Sequence, residues 1–181
     1  MTTWNIDPAH SEINFKARHL LVSTVTGHFD KFSATIEADA EDFSDGRVSF
    51  EADTASVSTK NEKRDAHLKS PDFFDAASYP KMTFVSTGVR KHSEHEYKVD
   101  GNLTIRNVTR PITLDVIYNG AVQGFGGIAV AGFEIRAKIN RFDFGLQWNA
   151  LTEAGGVVVS NEIKIEILAE FNRQEQIAKA A

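Results

Sequence analysis

Cysteine is missing from the 181-residue sequence. Its absence excludes disulfide bonds, catalytic thiolates and the cysteine ligand sets of zinc fingers and iron–sulfur clusters. The sequence also has no excess of basic residues. It contains 20 Lys and Arg and 25 Asp and Glu, which gives a formal net charge of −5. Since nucleic-acid binding uses surplus cations to neutralise phosphates, this balance argues against a nucleic-acid partner.

Long apolar runs are also lacking, and none approaches the roughly 18 residues that indicate a transmembrane helix. The first residues, from Met1 to Asp7, carry neither the basic nor the apolar stretch of a secretion signal. We therefore expect a cytoplasmic protein if Met1 is the native start. A periplasmic protein is expected if a signal peptide was removed.

The remaining composition is that of one globular domain, with 41% hydrophobic and 25% charged residues. Phenylalanine dominates the aromatic residues, with 13 Phe against 2 Trp and 3 Tyr. Phe adds apolar area without a polar group that needs a partner, so it suits either a large core or an oily binding cavity. We expect one domain over residues 1–172 and a flexible tail over residues 173–181, where Gln, Glu and Ala prevail.

Apolar and polar residues alternate with a period of two along most of the chain, which is the signal of half-buried β-strands. Strands with one polar face are antiparallel by default, and an even number in meander order can close into a barrel without edges. The pattern alone does not separate a barrel from a two-sheet sandwich. Eight segments carry it, at 12–19, 32–40, 48–53, 82–89, 102–106, 112–119, 133–139 and 162–171.

One stretch between the third and fourth strands breaks this alternation. It contains good helix formers and predicts a short α-helix from Asn61 to Lys69, ended by Pro71. Phe73 and Phe74 follow in a turn, where they are placed to cover one end of the fold.

The inward face of the strands contains many alanines beside large Phe and Ile side chains. Because native interiors are densely packed, these alanines are met either by bulky neighbours or by a bound ligand. If a ligand is present, Phe73 and Phe74 would form its lid. The predicted lining residues are Phe15, Phe32, Ile36, Phe84, Leu103, Ile105, Phe133, Ile135 and Trp148.

Basic residues on the predicted helix form a candidate head-group site. Lys60, Lys63, Arg64 and His67 share one helix face, and Arg is suited to bidentate phosphate contacts. A solvated face with Glu62 and Asp65 as local partners is the alternative. The pair Arg18 and His19, at the end of the first strand, is the second candidate for head-group contacts.

Three other motifs indicate no active site. Gly124 to Ala129 matches G-x-G-x-x-A, but no helix pattern follows, so a hairpin loop is predicted. His92 and His95 lie in a charged turn, and no metal site is predicted there. Asp7, His10 and Ser11 are close in sequence, but Asp7-Pro8 indicates a turn rather than a catalytic triad.

Six motifs in the same order carry a family resemblance. They are Trp4-x-Ile6-Asp7-Pro8-x-His10-Ser11, Phe15-x-x-Arg18-His19, Arg64-Asp65-x-His67-Leu68 with Asp72-Phe73-Phe74-Asp75, Tyr79-Pro80-x-x-Thr83-Phe84, Gly101-x-Leu103-Thr104-Ile105-x-x-Val108-Thr109-Arg110-Pro111 and Asn140-Arg141-x-Asp143-Phe144-Gly145-Leu146. With them, the chain resembles the YceI-like family of lipocalin-like, polyisoprenoid-binding proteins.

The resemblance implies an all-β fold, an eight-stranded antiparallel lipocalin-like barrel that holds a long isoprenoid chain such as a prenyl pyrophosphate or a quinone tail. It implies no catalytic residue and no cofactor besides that lipid, and because dimers are known in the family, a homodimer is one expectation. Asn107 stands where the family usually has Gly, and Asn also tolerates left-handed backbone. Many relatives carry a secretion signal, and this chain begins without one.

The expected function is therefore non-catalytic storage or transport of a long-chain isoprenoid or similar amphiphilic lipid. Two alternatives stay open. The first is an enzyme that acts on an isoprenoid or quinone-like substrate with His67 or His19 as acid–base groups. The second is a ligand-free stress or interaction module, which would have a filled interior and an exposed apolar patch.

Overall fold

Period-two alternation produces an almost entirely β structure. The computed structural model of the chain describes residues 1–175, and within that range no helix is long and apolar enough to cross a membrane. The described residues form one α-helix, α1 (Glu62–Lys69), besides short 3₁₀ turns at Pro8–His10, Thr54–Ser56, Phe125–Gly127 and Arg141–Phe144. The strands are β1 (Thr2–Ile6), β2 (Glu12–His19), β3 (Ser23–Phe29), β4 (Phe32–Ala38), β5 (Arg47–Asp53), β6 (Val57–Ser58), β7 (Lys81–Lys91), β8 (Glu96–Ile105), β9 (Val108–Gln123), β10 (Ala129–Asn140) and β11 (Glu162–Arg173).

These strands form a closed barrel of eight long antiparallel strands in meander order. Three of the eight are interrupted, so that β1 continues into β2, β3 into β4 and β5 into β6. The first interrupted strand is hydrogen-bonded to the second, because β1 pairs with β4 and β2 pairs with β3. The last strand, β11, returns to pair with both β1 and β2 and closes the barrel. The predicted barrel is confirmed, and the sandwich alternative is wrong.

Local sequence explains the first interruption. Pro8 follows Asp7, whose carboxylate accepts a hydrogen bond from Ala9 N at 2.9 Å and caps the 3₁₀ turn Pro8–His10. Proline lacks the N–H that a continuous strand would use, so the ladder stops here and resumes at β2.

The helix α1 lies where strand pairing opens between β6 and β7. Asn61 caps it by accepting a hydrogen bond from Arg64 N at 2.9 Å, and the helix ends one residue before Ser70-Pro71. The predicted helix is confirmed, with Asn61 as its N-cap rather than its first helical residue. None of its residues is buried, and Leu68 packs against the core from above.

Aromatic side chains fill the end of the barrel opposite α1. Phe43, in the β4–β5 loop, packs edge-on against Trp4, Tyr118 and Phe133 at centroid distances of 5.1 to 5.3 Å. Phe133 in turn contacts Phe171 at 5.7 Å. We call this cluster of five residues the aromatic floor.

Two sequence expectations concern the turn at Asn107 and the chain end. Arg106 and Asn107 adopt φ values of 50° and 64°, so Asn107 holds the left-handed turn between β8 and β9 as expected. Near the C-terminus, Arg173 is the last residue of β11 and pairs with Trp4 of β1. The backbone N of Gln174, which follows it, donates a hydrogen bond to Thr3 O. Residues 176–181 of the predicted tail lie outside the described residues.

Candidate functional site

An apolar cavity of about 560 Å³ occupies the barrel above the aromatic floor. Ligand-binding cavities typically measure about 300–1,000 Å³, so its volume suits a sizeable guest. Small side chains leave this space unfilled, since Ala17, Ala34 and Ala169 all face it. Of the two sequence alternatives for the alanines, the structure shows the under-filled interior.

Most of the predicted lining residues border this cavity. Those that do are Phe15, Phe73, Phe74, Phe84, Leu103, Ile105, Ile135 and Trp148. Three do not, and they correct the sequence prediction. Phe133 belongs to the aromatic floor, Ile36 is buried beside Trp4 at that same end, and Phe32 lies half-buried at the break between β3 and β4. Period-two alternation tells which face a residue is on, but it does not tell how deep along the barrel axis it lies.

The opposite end of the cavity, which we call the mouth, is bordered by α1, the β2–β3 turn and residues 145–161. Aromatic rings pack there around His67, whose ring lies 4.6 Å from that of Trp148 and 5.0 Å from that of Phe73. Phe74 packs against Phe29 at 5.7 Å, just below. Phe73 and Phe74 are both buried, and both border the cavity as the lid prediction requires.

All four predicted head-group residues border the cavity, and the side chains of Arg18, Arg64 and His67 already have partners within the protein. His67 Nε2 lies 2.8 Å from Asp72 Oδ2. Arg64 folds back onto β6, donating from Nε to Thr59 Oγ1 at 2.7 Å and from Nη2 to Thr59 O at 3.0 Å. Arg64 therefore keeps only part of its donor fork free for a bidentate anion.

Arg18 and His19 lie where β2 meets the long β10–β11 loop. Arg18 donates from Nη2 to the carbonyl of Leu21 in the β2–β3 turn, and its backbone N donates to Ser160 Oγ at 3.0 Å. His19 forms a β-bridge with Val159. The β2–β3 turn and the loop are thus joined into one wall of the mouth.

Arg141 is the site residue that sequence reasoning missed. Arg141 is buried at the mouth, with 3% of its surface exposed, and its guanidinium donates to the backbone carbonyls of Leu146 at 2.6 Å, Trp148 at 2.7 Å and Ser160 at 2.9 Å. These hydrogen bonds hold the first and the last part of the β10–β11 loop together. Burial lowers the pKa of Arg141, since removal from water disfavours the charged form. A lone Arg at a strand end carries no periodicity, so only its place in the Asn140-Arg141 motif could have marked it.

The charges around the cavity share one sign. Among residues 1–175, every Lys, Arg, His, Asp or Glu that borders it is basic, in a chain whose formal net charge is −5. They are Arg18, His19, Lys63, Arg64, His67 and Arg141. A guest with an apolar tail and an anionic head would find both its parts matched here.

A second polar cluster lies outside the cavity, at the turn between β1 and β2. Asp7, His10 and Glu170 place their ligand atoms within 4.8 Å of one another. His10 Nδ1 lies 2.9 Å from Asp7 Oδ2, and this hydrogen bond lowers the pKa of Asp7 and raises the pKa of His10. Together with the Asp7 cap on Ala9, the pairing agrees with the turn that the sequence predicts.

Comparisons with known proteins cover nearly the whole chain. Residues 4–171 match the profile of the YceI-like domain. UPF0312 proteins of Staphylococcus aureus strains MSSA476 and MW2 are each 40% identical to this chain over 176 residues, which span 97% of the chain and 100% of either relative.

Solved structures share the barrel. A YceI protein of Campylobacter jejuni is 34% identical and superposes with a TM-score of 0.76, covering 87% of this chain and 90% of that one. BcnA of Burkholderia cenocepacia is 24% identical with a TM-score of 0.77, covering 91% and 98%. A polyisoprenoid-binding domain from Saccharophagus degradans is 16% identical with a TM-score of 0.66, covering 94% and 98%. The last two likenesses concern the fold alone.

Proposed function

The chain belongs to the YceI-like domain family, and from this premise we propose that it binds a long-chain isoprenoid or similar amphiphilic lipid inside its barrel, without chemical turnover, for storage or transport. The apolar tail occupies the cavity above the aromatic floor. The polar head stays at the mouth, among the basic residues.

The observation that carries this proposal is the cavity itself. Its walls are aliphatic and aromatic side chains from nearly every strand of the barrel, and its volume is about 560 Å³. Burial of apolar area contributes roughly 25 cal/mol per Å² before entropy costs, so a hydrocarbon tail gains affinity along its whole length. A structural relative, the domain from Saccharophagus degradans, is described as polyisoprenoid-binding, which agrees with this ligand class.

The charges at the mouth support an anionic head such as a phosphate, pyrophosphate or carboxylate. Lys63 lies on the same helix as Arg64, and Arg18 lies near the end of β2, beside the β2–β3 turn. Charge-assisted hydrogen bonds from such groups are stronger than those between neutral partners. A neutral quinone head would gain less from this arrangement.

Lipid retention tests the proposal directly. The purified protein is extracted with a mild organic solvent, and the extract is analysed by mass spectrometry. The stripped protein is then offered farnesyl pyrophosphate, a longer prenyl pyrophosphate and a ubiquinone. We expect the prenyl pyrophosphates to bind in a one-to-one complex and the quinone to bind more weakly. A stripped protein that takes up none of these lipids would contradict the proposal.

A matched pair of variants locates the bound lipid. Ala17→Phe adds a ring to the cavity wall, whereas Ala121→Phe adds the same ring at an exposed site of β9. Loss of space for two methylene groups costs about 1.6 kcal/mol, so affinity should fall at least about tenfold in Ala17→Phe. Ala121→Phe should bind like the wild type. Equal binding by all three proteins would place the lipid elsewhere.

Turnover separates this proposal from the enzyme alternative. His67 and Asp72 form a histidine–carboxylate pair at the mouth, 2.8 Å apart. In the proposed role the pair positions α1, and incubated lipids return unchanged in mass. A chemically altered lipid whose formation stops in His67→Ala, while binding persists, would establish an enzyme instead.

A further inference from the structure

Large apolar side chains are exposed at the mouth. On the β2–β3 turn, Leu21 is 61% and Val22 81% exposed, and Leu151 on the β10–β11 loop is 73% exposed. The two segments are joined, because Leu20 N donates to Val158 O at 2.9 Å and Leu151 pairs with Val157. Single exposed apolar residues are ordinary, but a group on two adjoining tips marks an interaction surface.

The β2–β3 turn holds its leucines in an unfavourable backbone conformation. Leu20 and Leu21 have φ values of 51° and 59°, in the left-handed region that favours Gly or Asn. Burial does not compensate for this strain, since both side chains are exposed. Strain that packing does not require is typical of a functional segment.

Basic residues lie at the same end of the barrel as these apolar tips. Arg18 donates into the β2–β3 turn itself, and Lys63 and Arg64 of α1 border the same opening. On the same segments, Asp65 accepts hydrogen bonds from Thr59, Asp72 pairs with His67, and Glu62 and Glu153 are exposed. Exposed apolar side chains flanked by cations are the composition of a surface that lies on an anionic lipid interface.

The opposite end of the barrel offers an internal comparison. Phe125, on the β9–β10 turn, is fully exposed, and Val122 beside it is 69% exposed. However, the sequence has no charged residue between Asp115 and Glu134, and the aromatic floor separates this end from the cavity. Apolar exposure here has no cation within its own hairpin and no access to the lipid cavity.

We propose that the mouth docks on an anionic lipid bilayer, with the tips formed by Leu20–Val22 and Leu151 inserted among the acyl chains and Arg18 and Lys63 at the headgroups. A lipid could then pass between the bilayer and the cavity without crossing water. This inference extends the proposed function, but docking is measurable in the absence of any carried lipid.

Vesicle flotation tests the docking surface. Stripped protein is mixed with vesicles of phosphatidylcholine alone or of phosphatidylcholine with phosphatidylglycerol. We expect binding to the anionic vesicles, weakened by added salt, and at least tenfold less binding for Leu21→Asp combined with Val22→Asp. The control, Phe125→Asp combined with Val122→Asp, should float like the wild type. Melting temperatures verify that both double variants fold.

Three outcomes would overturn the inference: wild-type protein that does not float, a mouth variant that floats like the wild type, or a control that loses binding equally. If wild-type protein instead forms a dimer in solution that the mouth variant abolishes, a second copy covers this surface. The two proposals fail separately. Ala17→Phe should dock like the wild type while binding lipid at least tenfold more weakly, whereas the mouth variant should bind lipid supplied in detergent like the wild type without docking.

Discussion

Arg141 is a buried cation whose side-chain hydrogen bonds, within residues 1–175, all go to backbone carbonyls and none to a carboxylate. Its charge is balanced by carbonyl dipoles of the loop that it anchors. Removing such a group leaves several buried acceptors without donors, which costs more than the bonds themselves contribute. Arg141 is therefore a positioning residue for the mouth.

We predict that Arg141→Met lowers the free energy of unfolding by about 3 kcal/mol, since unsatisfied buried acceptors cost about 1–3 kcal/mol each and the new side chain recovers part of that through packing. Urea denaturation followed by tryptophan fluorescence measures the loss. Arg110→Met is the matched control, because Arg110 is exposed. Comparable losses in the two variants would contradict this role for Arg141.

The pair of Asp7 and His10 predicts a pH dependence at the turn between β1 and β2. The raised pKa of His10 means that its stabilising contribution is present at low pH and is lost as pH rises through that raised value. The lowered pKa of Asp7 means that its contribution is lost as pH falls through that lowered value. The ion pair therefore stabilises the turn fully between about pH 4 and 6.5.

NMR titration of the His10 ring protons checks this prediction. The pKa of His10 should lie above its ordinary value in the wild type and should fall in Asp7→Asn, because the accepting carboxylate is its main cause. An unchanged His10 titration would show that the pair does not form in solution.

At the scale of strands and helix, sequence periodicity predicted most of the fold. The eight alternating segments each lie on one of the eight long strands, and α1 begins within one residue of its predicted start. The segment that became β3 was missed, because Gly27 interrupts its apolar face and weakens the signal. Glycine in a strand marks a close approach of another group, which a single sequence does not identify.

The structure identifies that group as Phe15, which pairs with Gly27 across β2 and β3. A Cβ at Gly27 would overlap the Phe15 ring, whereas a Cβ at Gly88 would meet nothing within 4 Å. We predict that Gly27→Ala lowers the free energy of unfolding by about 1–3 kcal/mol through overpacking. Chemical denaturation should show no such loss in Gly88→Ala.

The same variant has a second readout, because Phe15 borders the cavity. Moving its ring inward should reduce the amount of prenyl lipid retained by Gly27→Ala. If stability falls while lipid retention stays at the wild-type level, Phe15 moves away from the cavity rather than into it.

For the whole molecule, the barrel and its inward face followed from the sequence, but the cavity did not. The alanines left two alternatives open, since alternation does not specify the space between opposite walls. Depth along the axis was equally undetermined, which is why Ile36 and Phe133 were assigned to the cavity. These properties depend on how the eight strands close, and that closure joins residues as distant in sequence as Trp4 and Arg173.

Lipid binding should stabilise the whole barrel by mass action. A ligand present at one hundred times its Kd adds about 2.7 kcal/mol to the free energy of unfolding, which corresponds to roughly 5–10 °C in Tm for a chain of this length. Calorimetry of stripped protein with increasing prenyl pyrophosphate measures this shift. Ala17→Phe should show a smaller one at equal lipid concentration, and equal shifts would point to binding outside the barrel.

The aromatic floor has a consequence for the order of events in the proposed function. Phe43 and its neighbours pack across one end of the barrel, so the proposed guest enters and leaves through the mouth at the other end. A guest enters tail first and departs head first, and one guest leaves before the next arrives. The depth from the mouth to the aromatic floor then limits the length of the bound tail, since the head of a guest with a longer tail would lie too far out to contact the basic residues.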